Sequence, residues 1–236
     1  MTIFSIHNLC ARFFYSLFGL GVIFAISIMS SAVFAAPSDN KGVVEVEIPD
    51  EVKNNPDLTV TKNGNVTSVN HKKNLAPNAE LDCIDPDKIT NQYNPPALLI
   101  SSWKCVNQYR LKNAYILRMV AAAYAHFDIP RLSDVSTQDA FYALKMQMEG
   151  NINKELSEAV SNKFMEIRND GATDKELCAF VTKLGPPQYQ PDWAIYHGMQ
   201  AIMGKIENPI KTDIDNDKIW KDVLSQVCSL ADKAKK

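Results

Sequence analysis

The sequence predicts an all-α protein, a disulfide-stapled bundle of about five helices that follows a largely irregular N-terminal arm. The stretch Asn94–Asp128 has apolar residues at three- and four-residue steps and no Gly or Pro after Pro96, which is typical of a long helix with one apolar face. Later segments repeat that spacing between breaks that contain Gly or Pro. We therefore divide the chain into a signal peptide (1–35), a flexible polar arm (36–80) and a helical domain (81–236).

The N-terminal segment has the pattern of a secretory signal peptide. Arg12 is its single charged residue before an uncharged, mainly apolar run over 13–36, and the small residues Val33 and Ala35 predict cleavage after Ala35. The run is also long enough to span a bilayer, so an uncleaved inner-membrane anchor is the alternative. Both interpretations place the rest of the chain outside the cytoplasm, in the periplasm or secreted, because the positive flank stays inside.

Charge excludes one class of partner. Cleavage after Ala35 leaves 201 residues, with 24 basic and 27 acidic side chains. That length is sufficient for one domain with a substantial core. No basic stripe interleaved with aromatic residues is present, so we expect no nucleic-acid partner.

Four cysteines remain after cleavage, and an even number in an exported chain predicts two disulfides. Three pairings are possible for Cys83, Cys105, Cys178 and Cys228. We favour Cys83–Cys105 with Cys178–Cys228, which would staple the incoming segment to the central helix and join two later helices. No CxxC motif occurs, so we predict neither a metal site nor a cofactor.

The segment from Pro37 to Glu80 is rich in Asn, Lys, Asp and Pro and poor in large apolar residues, a composition that buries little surface. Asn63-Gly64 lies between two β-prone runs within Leu58–Val69, which predicts a hairpin. Gly42–Ile48 alternates as a strand would. An isolated hairpin is marginally stable in water, so we expect a passive tether or a segment that becomes ordered on a partner.

The helical domain begins with the central helix, for which Asn94 is the predicted cap and Pro95 or Pro96 the first turn. Ser136 and Asp139 resemble a capping box at the start of the second helix. A second such box, Thr173 and Glu176, opens the third. The later helices are predicted over 136–170, 173–184 and 191–207, and from Asp215 or Asp217 towards the C-terminus. Gly171 suits a left-handed cap at the end of the first of these.

Acidic runs in the chain do not match known sites. Asp213, Asp215 and Asp217 suggest a calcium loop, but Lys218 and Leu224 occupy the positions that need Gly and Glu. Acidic residues at a helix N-terminus explain the run more simply.

Glu155 and Glu158 share one helix face, whereas a glycosidase needs two carboxylates across a cleft. No GxSxG, P-loop or GxGxxG motif is present.

His126 and His197 are the candidate catalytic bases. Either ring could serve a small hydrolase if a carboxylate or nucleophile lay within hydrogen-bond reach. No sequence motif joins them, and HExxH is absent, so we favour a structural role for each.

A surface loop is the candidate interaction site. Proline and aromatic residues are concentrated between Leu184 and Trp193, and such surface loops suit contacts with proteins. The alternative is a rigid connector packed on the domain. The residues proposed for contact are Pro186, Pro187, Tyr189, Pro191 and Trp193.

These patterns predict an exported, non-enzymatic interaction module that binds a protein partner in the bacterial cell envelope or after secretion. One alternative is a carrier of an apolar ligand or lipid, with a Met- and aromatic-lined pocket between helices. The small hydrolase based on His126 or His197 is the other.

Overall fold

The computed structural model describes residues 48–64, 66–150 and 152–233. The predicted signal peptide (1–35) and nearly all of the predicted strand Gly42–Ile48 lie outside the described residues. The fold is mostly helical with two disulfides, as predicted, and it also contains a small two-stranded sheet.

The first described elements form a hairpin. A single helical turn, α1 (Asp50–Lys53), leads into β1 (Leu58–Asn63), which pairs antiparallel with β2 (Val66–His71). Gly64 has φ +59°, a conformation that Gly adopts at no steric cost and that a tight hairpin turn requires. The hairpin predicted from Asn63-Gly64 is therefore present.

The chain after the hairpin packs against the helical domain. Leu75 and Leu81 are buried in the common core, and the Leu75 N–H donates to the carbonyl of Trp193 at 3.0 Å. A one-turn 3₁₀ helix, Pro86–Lys88, precedes the main helices. The hairpin is thus joined to the domain by buried apolar side chains as well as by the chain itself.

The predicted central helix is two helices, α2 (Pro95–Asn107) and α3 (Leu111–Asp128). The prediction of one uninterrupted helix is wrong, because Tyr109 takes a left-handed conformation at φ +58° and ends α2. The predicted start is confirmed, since the Asn94 side chain accepts from the Ala97 N–H at 3.1 Å.

The next two helices, α4 (Ala140–Glu149) and α5 (Lys154–Asp170), divide the predicted segment 136–170. Asp134 rather than Ser136 is the capping residue, because its Oδ1 accepts from the Ser136 N–H at 3.0 Å and opens a 3₁₀ turn before α4. The Ser136–Asp139 capping box is therefore wrong. The left-handed cap predicted after α5 is confirmed at φ +68° of Gly171.

Helix α6 (Ala172–Leu184) begins directly after that glycine. Thr173 already lies inside the helix, so the Thr173–Glu176 capping box is also wrong. The predicted helix over 191–207 is instead two single turns, α7 (Asp192–Ile195) and α8 (Met199–Ile202).

Gly198 separates α7 from α8 in an extended conformation, and the lack of a Cβ leaves room for the Asp134 and Thr137 side chains beside it. The last helix, α9 (Asn216–Lys233), begins at the predicted place, and Asp215 Oδ1 accepts from the Lys218 N–H at 2.9 Å.

The core lies around α2 and α3, with α6 and α9 packed along one side. The side chains of Leu98, Leu117, Tyr124 and Trp193 are among the largest that are completely buried. In the part of the chain that the structure describes, no helix combines the length and the apolar character needed to cross a bilayer.

The disulfides are Cys83–Cys105 and Cys178–Cys228, with Cα–Cα distances of 4.6 Å and 4.8 Å. The favoured pairing is confirmed. The first joins the segment before α2 to that helix, and the second joins α6 to α9.

Removal of either disulfide is expected to lower the free energy of unfolding. The loops they close have sequence separations of 22 and 50 residues, so loop entropy predicts losses of about 3 kcal/mol for Cys83→Ala/Cys105→Ala and about 4 kcal/mol for Cys178→Ala/Cys228→Ala. Urea denaturation followed by circular dichroism measures both. Equal stability of the wild type and the Cys178→Ala/Cys228→Ala variant would contradict the expectation.

Candidate functional site

The predicted interaction loop turns its largest aromatic side chain inward. Trp193 is 1% exposed and Pro191 is buried, whereas Tyr189 and Pro187 are half-buried and Pro186 is exposed. The buried positions match the alternative weighed for this loop, a rigid connector packed on the domain. Any contact made by the loop therefore depends on Pro186, Pro187 and the exposed part of Tyr189.

These inward side chains meet a buried carboxylate at the end of α3. Asp128 Oδ2 accepts from the Tyr189 hydroxyl at 2.8 Å and from the Trp193 indole N–H at 2.9 Å. Asp128 Oδ1 accepts from Arg131 at 2.9 Å. The Arg131 guanidinium also stands 4.1 Å from the centre of the Phe127 ring. The arrangement satisfies a charge that would otherwise be costly to bury.

Burial raises the pKa of Asp128 to about 6, while the bonds from Trp193, Tyr189 and Arg131 act to lower it. A carboxyl group in that range could exchange a proton near neutral pH. Its side chain is completely buried, however, and three donors occupy it. The geometry favours a structural role, because no reacting group can approach the carboxylate without displacing these partners.

The two candidate histidines lie in unlike surroundings. His126 is exposed on α3, with its ring centroid 6.5 Å from that of Phe141. His197 is buried and bonds through Nδ1 to the amide oxygen of Asn74 at 2.9 Å. Among the described residues neither ring has a carboxylate or nucleophile in hydrogen-bond contact, which is the arrangement that the hydrolase hypothesis requires.

The acidic residues do not assemble into a recognisable ion site. Within the described ranges, no group of three or more His, Cys, Asp or Glu side chains could hold a metal ion. Glu158 instead forms an exposed pair with Lys154 at 3.7 Å.

Two cavities bear on the carrier hypothesis. One, beside Asp134 and Thr137, has a volume of about 10 Å³, which is no more than one water molecule needs. The other is an open groove of about 340 Å³ between the 86–88 turn, the start of α3 and α6. Neither cavity is lined by a methionine, so neither is the Met-lined interhelical pocket that a carrier was predicted to have.

The corner between α2 and α3 displays an unusual tyrosine. The N–H of Tyr109 donates to the Val106 carbonyl, and the N–H of Arg110 donates to the Cys105 carbonyl, each at 2.9 Å. This pair of bonds is the Schellman arrangement, in which the left-handed residue is usually Gly. Tyr109 holds that position with a side chain that is 90% exposed.

The corner is fixed from beneath by the segment that the first disulfide attaches to α2. Arg110 donates to the Cys83 carbonyl at 3.1 Å and pairs with the Asp85 carboxylate. Asn113 donates to the same carboxylate at 3.1 Å, and Lys104 donates to the Leu81 carbonyl at 2.6 Å. The exposed ring therefore stands on a rigid platform.

The open groove begins one helical turn after Tyr109. Its apolar lining is Pro86, Ile116, Leu177 and Phe180. Lys112 and Glu176 also line it and pair at 2.6 Å, with both side chains more than half exposed. An exposed aromatic ring at a helix corner, followed one turn later by a groove with apolar walls and charged side chains, is the kind of surface that proteins use to hold a partner.

The sequence pattern does not identify this site, because a single helix over Asn94–Asp128 would place Tyr109 on its apolar face. The helical spacing continues through the corner, and Asn107-Gln108-Tyr109-Arg110 contains neither Gly nor Pro. The one available signal was Cys105, whose predicted disulfide to Cys83 restrains the last turn of α2.

No family model matches this chain, and no curated protein or solved structure shows significant similarity to it.

Replacement of Asp128 is expected to remove a pH-dependent part of the stability. The folded-state pKa of about 6 exceeds the unfolded value of 3.8, so this group stabilises the fold most below pH 3.8 and that contribution is lost as the pH rises through about 6. When the pH is lowered from about 7.5 to about 5, the free energy of unfolding of the wild type should therefore rise by about 1 kcal/mol relative to that of Asp128→Asn. Urea titrations at both pH values measure the difference.

Glu158→Gln serves as the control for loss of a surface carboxylate. An Asp128→Asn difference that stays constant between the two pH values would show that the buried carboxyl does not titrate as proposed.

Proposed function

We propose that this protein is an exported, non-enzymatic interaction module that binds a protein partner in the bacterial cell envelope or after secretion. The observation that carries the proposal is Tyr109, an exposed aromatic side chain held in a backbone conformation that suits glycine. The corner formed by Tyr109 and the adjoining groove is the proposed contact surface, which we call the corner surface.

The energetics of Tyr109 support a role outside the fold. A left-handed conformation costs an L-residue roughly 1–2 kcal/mol, and Gly escapes most of that cost. The ring is 90% exposed, so it recovers little of this free energy by burial. Strained residues that the surroundings hold in place are concentrated at functional sites. Tyr109 therefore has the properties of a residue kept for what it contacts.

The surroundings of Tyr109 suit an aromatic anchor. The platform of Arg110, Asp85 and the Cys83–Cys105 disulfide fixes the backbone before binding, which reduces the entropy lost on association. The groove of about 340 Å³, whose lining begins three residues after Tyr109 at Lys112, supplies apolar surface from Ile116, Leu177 and Phe180. Tyr is enriched among the residues that dominate binding energy in protein interfaces.

The covalent structure supports the proposed location. Two disulfides are compatible with an oxidising compartment such as the periplasm or the extracellular medium.

Tyr109→Gly separates binding from folding. Because Gly is preferred at this backbone position, the variant should unfold with a free energy equal to wild type or higher by about 1 kcal/mol. Loss of the ring should weaken partner binding by about tenfold or more. The partner is first captured through a photo-crosslinking residue at position 109 in intact producing cells, then purified and titrated by calorimetry.

The matched control is Tyr142→Ala, which removes a tyrosine that is 60% exposed on α4, away from the corner surface. It should bind the partner as wild type does. Equal affinities of the Tyr109→Gly and Tyr142→Ala proteins, or crosslinks that form equally well from position 142, would refute the corner surface as the contact.

A further inference from the structure

The joint between the hairpin and the helical domain contains two buried histidines. His71 is the last residue of β2, and His197 follows the α7 turn. They are 7% and 6% exposed. Each ring faces the other element: His71 stacks on Tyr196 of the domain with 4.2 Å between ring centroids, and His197 bonds to Asn74 of the segment that leaves the hairpin.

The bonds of His71 define its uncharged form. Its Nδ1 accepts from the Lys73 N–H at 3.0 Å, so the proton of the neutral ring is on Nε2. A second proton would have to go on Nδ1, where it would replace an acceptor with a donor facing another donor. The bond to Lys73 that shapes the turn after β2 would then be lost.

His197 has the opposite tautomer and a more restrictive environment. Asn74 donates its amide N–H to Asn70 Oδ1 at 2.5 Å, which directs its own Oδ1 to His197 Nδ1. The neutral ring proton is therefore on Nδ1. The Nε2 atom is buried and has no partner among the described residues. Protonation there would place a charged N–H group in a site without an acceptor.

The surrounding charges act on these rings in both directions. Asp57 favours the charged form of His71, whereas Lys72 and Lys73 oppose it. Asp139 favours the charged form of His197.

Asp192 and Asp128 also lie near the joint. The Lys73 ammonium lies 4.8 Å from the centre of the Tyr196 ring and 3.8 Å from Asp192. Asp128, which is bonded to the Trp193 indole, also becomes protonated as the pH falls. Because its pKa is raised in the fold, this protonation stabilises the core, whereas protonation of the histidines destabilises the joint. A readout at the hairpin itself is therefore needed.

Burial is the largest influence on both rings and lowers the pKa of His71 and of His197. A folded-state pKa below the unfolded value of 6.5 means that the joint is fully stabilised above about pH 6.5 and loses this contribution as the pH falls through the folded-state pKa.

We propose that the hairpin is an acid-releasable arm: protonation of His71 and His197 separates β1 and β2 from the α7–α8 segment while the disulfide-stapled helices stay folded. Protonation of His71 breaks the bond from the Lys73 N–H in the turn that leads out of the hairpin, and protonation of His197 places a charge on a buried Nε2 atom beside the joint. The hairpin has no other sheet to join, since it forms a two-stranded sheet in the described residues, and such a sheet is marginal alone. Detachment therefore also loosens the pairing of the strands.

Hydrogen exchange of the full chain tests the proposal. After correction for intrinsic exchange rates, protection of the amides over 58–71 should fall by about tenfold or more between about pH 7.5 and about pH 5. The amides of α3 should keep their protection over the same range. In the double variant His71→Phe/His197→Phe, whose rings do not titrate, the hairpin should show no such fall. Exposed His126, in the variant His126→Gln, is the control and should leave the wild-type response intact.

Nuclear magnetic resonance titration of the imidazoles supplies a second measurement in wild type, in case the double variant weakens the joint at every pH. Both rings should titrate below the unfolded value of 6.5, and the hairpin amides should shift with the same midpoint. Unchanged hairpin protection at about pH 5 would overturn the proposal. So would a fall that persists in the double variant, or hairpin opening without titration of either ring.

Discussion

The buried carboxylate of Asp128 is the constraint on which the arrangement of the second half of the domain depends. It ends α3 and receives hydrogen bonds from Tyr189 and Trp193, so it fixes the connector between α6 and α7. The Trp193 carbonyl then accepts from Leu75, and the turn after Trp193 carries Tyr196 and His197, the domain's two rings in the hairpin joint. Removal of one of these partners would leave a buried polar or charged atom without a hydrogen bond, which is destabilising. The hairpin is thus positioned, through Trp193, by an ionised group in the core.

The Tyr109 corner differs from the Asp128 site, because the unfavourable group here is an exposed residue. The contacts that stabilise its backbone are made by the neighbouring segment around Cys83 and Asp85. The Cys83–Cys105 disulfide, the Arg110–Asp85 pair and the two Schellman bonds together hold a backbone conformation that tyrosine does not favour. A corner that served only to reverse the chain would be more stable with Gly. The disulfide, the ion pair and the two Schellman bonds are more restraints than a simple chain reversal requires, and together they make the corner surface rigid.

Local patterns predicted the helical class, the Asn94 cap, the Gly171 cap, the hairpin and the start of α9. Each of these depends on a few neighbouring residues with known conformational preferences. The disulfide pairing, which the sequence left open among three possibilities, also agrees with the favoured one.

The failures arose where distant contacts decide the outcome. At the break at Gly198, Asp134, more than sixty residues away in sequence, lies against the glycine and accepts from the Gln200 N–H at the start of α8. The break at Tyr109 has no Gly or Pro to mark it. Trp193 was predicted to make a surface contact, but its indole N–H donates to the buried Asp128 and the side chain lies in the core. The candidate site was missed because the helical spacing continues past Tyr109. Its side chain is exposed only because α2 ends there, and nothing in the local sequence marks that end.

The placement of the two disulfides divides the chain into parts that respond differently to cleavage. One covalent loop runs from Cys83 to Cys105 and the other from Cys178 to Cys228, so neither encloses the residues between Cys105 and Cys178. A protease that nicks the backbone inside either loop leaves the pieces tied together by sulfur. A nick between the loops, for example between α4 and α5, leaves the first half and the second half joined only by noncovalent contacts, such as the bonds of Tyr189 and Trp193 to Asp128.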